Sequence, residues 1–191
     1  MNTQINQLTL DSAVEAIQKH WPTTKPRCGL ILGSGWAEAV EEFKGQEISY
    51  DHIPGFGKPG VMGHAGKLLA TTINGMEVFI FQGRRHWYEG EGWTPVILPI
   101  YLLHALGAHS VLLTNAAGGI RDDLGPGSLM VIEDHINMLG SNPLIGPYNP
   151  KLGTRFPDQS EVYDKPLLCL VLCMPSDTCL PLAHLNQKPL R

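Results

Sequence analysis

An α/β fold with a mixed central sheet surrounded by helices is predicted by three observations. Short apolar runs, Cys28-Gly29-Leu30-Ile31-Leu32, Val78-Phe79-Ile80-Phe81 and Ser110-Val111-Leu112-Leu113-Thr114, each end in glycine-rich or polar residues, as strands buried on both faces do. Segments with apolar residues at helical spacing alternate with these runs. Asn74-Gly75 sits between two further strand-like segments and is a strong two-residue hairpin signal.

Residues 10–20 place Val14 and Ile17 at helical spacing and predict a first helix, ended near Pro22. The run Cys28–Leu32 reads as a strand entering the tight turn Gly33-Ser34-Gly35. Residues 36–43 carry Trp36, Val40 and Phe43 at helical spacing, so strand, turn and helix are expected in succession. Lys67–Ile73 and Met76–Gln82 form the arms of the hairpin. Thr94-Pro95 caps and starts a helix through Leu106, kinked at Pro99. A buried strand over residues 111–114 follows, then a short strand at 129–132. Residues 140–157 form a long loop rich in Pro, Gly and Asn, of a length usually tied to function or mobility.

A chain of 191 residues can bury one sizeable core. Its formal charge of −4, with signs interspersed, offers no basic stripe, so no nucleic-acid partner is expected. The first 19 residues are polar and contain Asp11 and Glu15, unlike a secretory signal. The longest apolar candidate, residues 96–106, is interrupted by Pro99 and His104, so no membrane association is expected and the chain reads as cytoplasmic. Cys28 reads as a buried thiol at a strand start, while Cys169, Cys173 and Cys179 lack paired knuckle spacing and imply no metal.

The most informative segment is residues 83–90, Gly-Arg-Arg-His-Trp-Tyr-Glu-Gly, which closes the apolar run Val78-Phe79-Ile80-Phe81 with charge, imidazole and phenol. Ligands of open α/β sheets bind beyond the carboxyl ends of such strands, where Arg84, His86, Tyr88 and Glu89 would lie. Arginine presents a planar fork suited to phosphate oxygens, histidine can add a donor, and glutamate can fix the imidazole's tautomer. The segment reads as an oxyanion receptor or as a solvated strand end. Gly33-Ser34-Gly35 lets the backbone approach an anion at the start of the expected helix, with the Ser34 hydroxyl as a donor, or is simply a corner. It fits neither a dinucleotide nor a triphosphate loop. Asn115-Ala116-Ala117-Gly118-Gly119 leaves backbone N–H groups accessible and adds the Asn115 amide, although close helix packing would also explain its small residues. Gly63-His64-Ala65-Gly66 sets a histidine between hinges and reads equally as a surface turn.

Taken in order, these segments resemble the trimeric, oxopurine-preferring purine nucleoside phosphorylases. The resemblance runs through Leu30-Ile31-Leu32-Gly33-Ser34-Gly35, Ile53-Pro54-Gly55-Phe56, Gly63-His64-Ala65-Gly66, Gly83-Arg84 with His86 and Tyr88-Glu89-Gly90, Thr114-Asn115-Ala116-Ala117-Gly118-Gly119 and Gly127-Ser128. It continues through Asp134-His135-Ile136-Asn137, Asn142-Pro143-Leu144, Gly146-Pro147, Arg155-Phe156-Pro157 and Tyr163-Asp164. It implies a nucleoside phosphorylase-like fold and reversible phosphorolysis of purine nucleosides to free base and (deoxy)ribose 1-phosphate. Phosphate is then a co-substrate and no cofactor is implied. Carried over by position, phosphate falls to Ser34, His64, Arg84, His86 and the backbone at Ala116. Glu89 would support His86 as the catalytic pair, Tyr88 would face the ribose, and Asn115 would line the inner wall. Phe156 would cover the sugar of a neighbouring subunit in a homotrimer.

Departures accompany the matches. Trp36-Ala37, Pro59-Gly60, Arg85 and Trp87 differ from common family residues and stand where they can alter loop closure. After Asp164 the resemblance stops, dividing the chain into a phosphorylase-like part, residues 1–164, and a divergent tail, 165–191. The family continues for roughly another hundred residues. There it carries a second phosphate-binding serine, a ribose-facing methionine, and the glutamate and asparagine that grip the purine. The tail, with Pro166, Pro175, Pro181 and Pro189, shows no helical or strand period. It reads as out-of-frame translation, a splice or deletion product, or an apolar docking tail. The fold is therefore expected to be incomplete, with Leu30 to Leu32, Val78 to Phe81 and Val111 to Leu113 uncovered and the chain prone to associate. Little turnover is expected of it, and the alternative function is an inactive homologue that at most binds phosphate or joins full-length subunits.

Overall fold

Parallel pairing at the centre of one sheet organises the molecule. The computed structural model describes residues 5–57 and 65–172. Strands β1 (Cys28–Leu32), β2 (Gly45–Ser49), β3 (Lys67–Ile73), β4 (Met76–Gln82) and β5 (Ser110–Leu113) form a mixed five-stranded sheet in the order β2-β3-β4-β1-β5. The pairs β2/β3 and β3/β4 are antiparallel, and β1 runs parallel to both β4 and β5. The predicted mixed sheet, three of its strands and the Asn74-Gly75 hairpin appear with their expected bounds. Chain contacts separate two units, Met1–Ala117 with Asn142–Pro147 and Gly118–Ser141 with Tyr148–Arg191. The sheet belongs to the first.

Helices α1 (Gln7–His20) and α2 (Thr94–Ala105) pack together in the first unit. Helix α1 begins before Leu10 because the Asn6 side chain accepts from the Thr9 N–H at 3.2 Å, an N-cap that satisfies one of the free first-turn donors. Leu10, Ala13 and Ile17 form its buried stripe. Asn6 also donates its own N–H to Thr94 Oγ1 at 2.9 Å, and Gln7, Asp11 and the Tyr101 hydroxyl share hydrogen bonds, so polar ties flank the apolar contact. Helix α2 runs through Pro99, which lacks an N–H for the preceding turn, with Pro99 buried among Leu98, Leu102 and Leu103.

The register puts Gly29, Ile31, Phe79 and Phe81 on one sheet face. A methyl group at Gly29 would overlap the Leu103 side chain, so glycine there lets α2 close on β1. On the opposite face Leu32, Val40, Leu69, Val78 and Ile80 form a buried cluster, with Cys28, Leu30, Trp36, Phe43 and Ile73 against it. Leu32 and residues 78–81 are buried, contrary to the expectation that β1 and β4 lie uncovered, because pairing on both edges and packing on both faces enclose them. Strand β5 is different: among the described residues it pairs only with β1, and Leu112 and Leu113 are 43% and 47% exposed rather than buried on both faces.

Three local expectations need correction. Residues 36–43 do not form a helix but a single 3-10 turn, Glu38–Val40. The apolar spacing is satisfied instead by packing Trp36, Val40 and Phe43 against Leu32, Leu69, Val78 and Ile80. Residues 129–132 form no strand, since no described backbone pairs with them, and Leu129 and Met130 are exposed. Residues 165–172 are helical after all: α3 (Lys165–Leu172) starts where the Asp164 carboxylate accepts from the Leu167 N–H at 2.8 Å, with Pro166 in the first turn, where its missing N–H costs nothing. Residues 173–191 of the expected tail lie outside the described residues. The long segment 140–157 is irregular, as expected, apart from the 3-10 turn Pro150–Leu152.

Buried Tyr50 supports the end of β4. Its hydroxyl donates to the Gly83 carbonyl at 2.8 Å, and its ring meets Phe56 at 4.5 Å, which stacks in turn on Phe81. Burial pushes its phenol well above the ordinary value, so it stays a donor wherever the fold persists. Tyr50→Phe should lower unfolding free energy by about 1–3 kcal/mol by orphaning that carbonyl, measurable by urea unfolding. The neutral phenol's contribution is fully present below its unfolded value near pH 10 and is lost as pH rises beyond it, so the wild-type chain should lose stability above about pH 10 more steeply than Tyr50→Phe.

Candidate functional site

Because β4, β1 and β5 are parallel neighbours, their carboxyl ends fall on one edge of the sheet, and the three segments following them run side by side. Buried Thr114 ties them together. Its N–H donates to the Ile31 carbonyl at 3.0 Å, its hydroxyl oxygen accepts from the Gly33 N–H at 2.9 Å, and its carbonyl accepts from Arg84 Nη1. Gly33 has to be small: a Cβ there would stand 2.8 Å from Asn115 Cα and 2.9 Å from Arg84 Nη1. The antiparallel strand β3 begins at this edge too, where Gly66 donates its N–H to Gln82 at 3.0 Å.

Residues 83–90 form a compact arch. A 3-10 turn, Trp87–Glu89, is ended by Gly90 in the left-handed region, φ 82°. Glu89 Oε1 accepts from the His86 N–H at 2.6 Å and lies 3.2 Å from His86 Nδ1. An ionised carboxylate at that distance favours the proton on Nδ1. The His86 and Tyr88 rings stack, centroids 4.9 Å apart and 19° between planes, with Tyr88 74% exposed, and Trp87 stacks on Trp93 at 4.4 Å. Arg84 is half-buried, and desolvation pulls its guanidinium below the ordinary value, with Tyr88 acting in the opposite direction.

The structure brings Ser34, Arg84, His86, Tyr88, Glu89, Asn115 and Ala116 to this edge of the first unit, with Ser34, Asn115 and Ala116 exposed. The Asn115 carbonyl accepts from Trp36 Nε1 at 3.3 Å. With a 3-10 turn in place of the expected helix, Gly33-Ser34-Gly35 offers backbone N–H groups and a hydroxyl but no helix dipole. His64 lies outside the described residues. Phe156 belongs to the second unit and is exposed there. Within that unit His135 Nε2 and the Tyr163 hydroxyl are hydrogen-bonded, and burial, followed by Asp134, pushes Tyr163 above its ordinary value. Sequence reasoning missed Thr114, Tyr50 and Arg85 as parts of the site. The first two carry no charge to draw notice, and Arg85 stood out only as a departure.

Apart from the Glu89 carboxylate, whose oxygens face Arg85 and His86, the gathered groups are a guanidinium, an imidazole, backbone N–H groups, an amide and hydroxyls, a set that matches an oxyanion. Among the described residues no group of three or more His, Cys, Asp and Glu side chains is placed to hold a metal ion. None of the described helices is long and apolar enough to cross a membrane.

Residues 27–178 match the sequence model of the phosphorylase superfamily. The chain is 43% identical over 164 residues to purine nucleoside phosphorylase 1 of Geobacillus stearothermophilus, spanning 85% of this chain and 60% of that protein. To purine nucleoside phosphorylase 1 of Bacillus subtilis (strain 168) it is 41% identical over 174 residues, 91% of this chain and 64% of that one. The purine nucleoside phosphorylase of Schistosoma mansoni solved with acetate superposes with a TM-score of 0.79 at 36% identity, covering 89% of this chain and 64% of that chain. Its isoform 2, solved with cytosine and ribose-1-phosphate, gives 0.78 at 37% identity, covering 88% and 60%. The chain thus spans 60–64% of the length of these relatives. With the mixed sheet, the clustered strand ends and these matches in agreement, the chain belongs to the phosphorylase superfamily.

Proposed function

We propose that this chain serves reversible phosphorolysis of purine nucleosides, with oxopurine ribo- or deoxyribonucleosides and inorganic phosphate as substrates and free base and (deoxy)ribose 1-phosphate as products. One observation carries the reading: the Arg84 arch and the Gly33 and Asn115 segments are tied into a single donor-rich edge through Thr114. The names of the relatives support the same substrate class. The phosphorylase-like part is residues 1–164.

In this reading Arg84, His86, Ser34, His64 and the backbone at Ala116 hold the phosphate dianion. Glu89 keeps His86 oriented, Tyr88 and Asn115 flank the sugar, and Phe156 reaches the sugar of a neighbouring copy in a homotrimer. The glycosidic bond lengthens toward an oxocarbenium-like sugar while phosphate oxygen attacks the anomeric carbon from the opposite face. No side-chain nucleophile is required: catalysis comes from holding the dianion in line and compensating the charge that shifts between phosphate, sugar and departing purine. No cofactor, nucleic-acid or membrane partner is needed for this chemistry, and the cytoplasm supplies both substrates.

The reaction class is tested by incubating the chain with inosine or guanosine and following base and sugar by chromatography. Base should appear only with phosphate present and in step with ribose 1-phosphate. Phosphate-independent release contradicts the proposal, and no release at all upholds the expected low turnover and the alternative of an inactive homologue that at most binds phosphate. For the anion site, Arg84→Ala should weaken phosphate binding by about 1.5–3 kcal/mol, an approximately 10- to 150-fold rise in dissociation constant, read by calorimetric titration. An unchanged constant would remove Arg84 from the site.

A further inference from the structure

Two arginines stand side by side at the end of β4, and they point into different surroundings. Arg84 reaches across to the neutral Thr114 carbonyl. Arg85 turns inward: its side chain is 7% exposed, its Nε lies 2.9 Å from Glu89 Oε2, and its Nη2 meets a carboxylate oxygen of Glu91. Glu89 is itself only 10% exposed, whereas Glu91 is 56% exposed. On its third side the guanidinium abuts Gly57, where a Cβ would come 2.8 Å from Nη1. Gly57 has φ +60° and immediately precedes residues 58–64 in the chain. One planar, permanently charged guanidinium therefore lies against Glu89 of the arch, Glu91 just beyond it and the turn at Gly57, a geometry that a single ammonium cannot reproduce.

The two oxygens of Glu89 are consequently divided. Oε2 faces Arg85, and Oε1 is left for the His86 N–H and ring Nδ1. We propose that Arg85 is a positioning residue for the phosphate site: by holding Glu89 through Oε2 it fixes the carboxylate plane that orients the His86 ring. The inference rests on the proposed phosphate-binding role of His86 and extends it to a residue that never touches the ligand. Burial makes the dependence strong, because a carboxylate out of water and deprived of its cation either takes up a proton, which weakens the acceptor at Oε1, or turns toward solvent and lets go of His86.

The test uses the full chain and inorganic phosphate at one fixed pH, with two readouts on wild type, Arg85→Met and Arg85→Lys. The first is the phosphate dissociation constant. The second is the pair of His86 ring nitrogen shifts from long-range proton–nitrogen correlation spectra recorded without phosphate. Arg85→Met should raise the dissociation constant about tenfold or more, as expected for removing the buried ion-pair partner of Glu89, and should move the His86 nitrogens away from their wild-type values. Arg85→Lys keeps the charge and the stem and should fall between, which also keeps the test decisive if the methionine variant does not fold. A folded variant of either kind with wild-type phosphate affinity and wild-type His86 shifts overturns the proposal. If the wild-type chain binds no phosphate, the phosphate role of His86 fails separately. The His86 shifts then decide the positioning role alone, a change upholding it and identity overturning it.

Discussion

The hydrogen bonds of Thr114 are the constraint on which the rest depends. Parallel pairing of β1 with β4 and β5 brings three strand ends to one edge, but proximity alone would leave three independent segments. Thr114 joins them with its amide to Ile31, its hydroxyl to the Gly33 N–H and its carbonyl to Arg84. The Gly33 contact is buried and the Arg84 contact half-buried, so that an unmade hydrogen bond is costly and the segments are held in one arrangement. The lack of a side chain at Gly33 is the steric counterpart, since any Cβ would push Arg84 away from the carbonyl that seats it.

Below this edge the supports are apolar and aromatic. Tyr50, Phe56 and Phe81 stack under Gly83, and Trp87 against Trp93 braces the arch, so the charged groups rest on side chains that have few alternatives. Within the arch charge is compensated locally: Glu89 divides its oxygens between Arg85 and His86, and Glu91 takes the far end of Arg85. In the proposed phosphate site Arg84 and His86, on either side of buried Arg85 in the chain, are the groups that meet the anion.

How much of this was legible from residues alone follows from which forces act locally. Strands β1, β3 and β4 carried continuous or β-branched apolar runs with a diagnostic Asn-Gly turn, and their bounds were readable because core burial and hairpin chemistry both act within a few residues. Strand β2 was not readable: only Ile48 of Gly45–Ser49 is buried, so an edge strand made by pairing with β3 leaves almost no apolar period. The spacing of Trp36, Val40 and Phe43 correctly marked a packed face but not its backbone, because a 3-10 turn can deliver the same three side chains to the sheet. The α3 start was signalled by Asp164 and Pro166 and overlooked among the prolines. At the site, Arg84, His86 and Glu89 announced themselves by charge at a strand end, whereas Thr114 and Tyr50 act through single hydrogen bonds that only the fold creates.

The central claim is that three strand ends, closed by Thr114, make one anion site. Titrating the nitrogen-15-labelled chain with phosphate and following backbone amides and arginine side-chain signals tests it most directly. The account predicts saturable, concerted shifts at Gly33, Ser34, Arg84, His86, Asn115 and Ala116 with a common dissociation constant. Shifts confined to one of the three segments, shifts elsewhere on the chain, or none at phosphate concentrations in the millimolar range would contradict it.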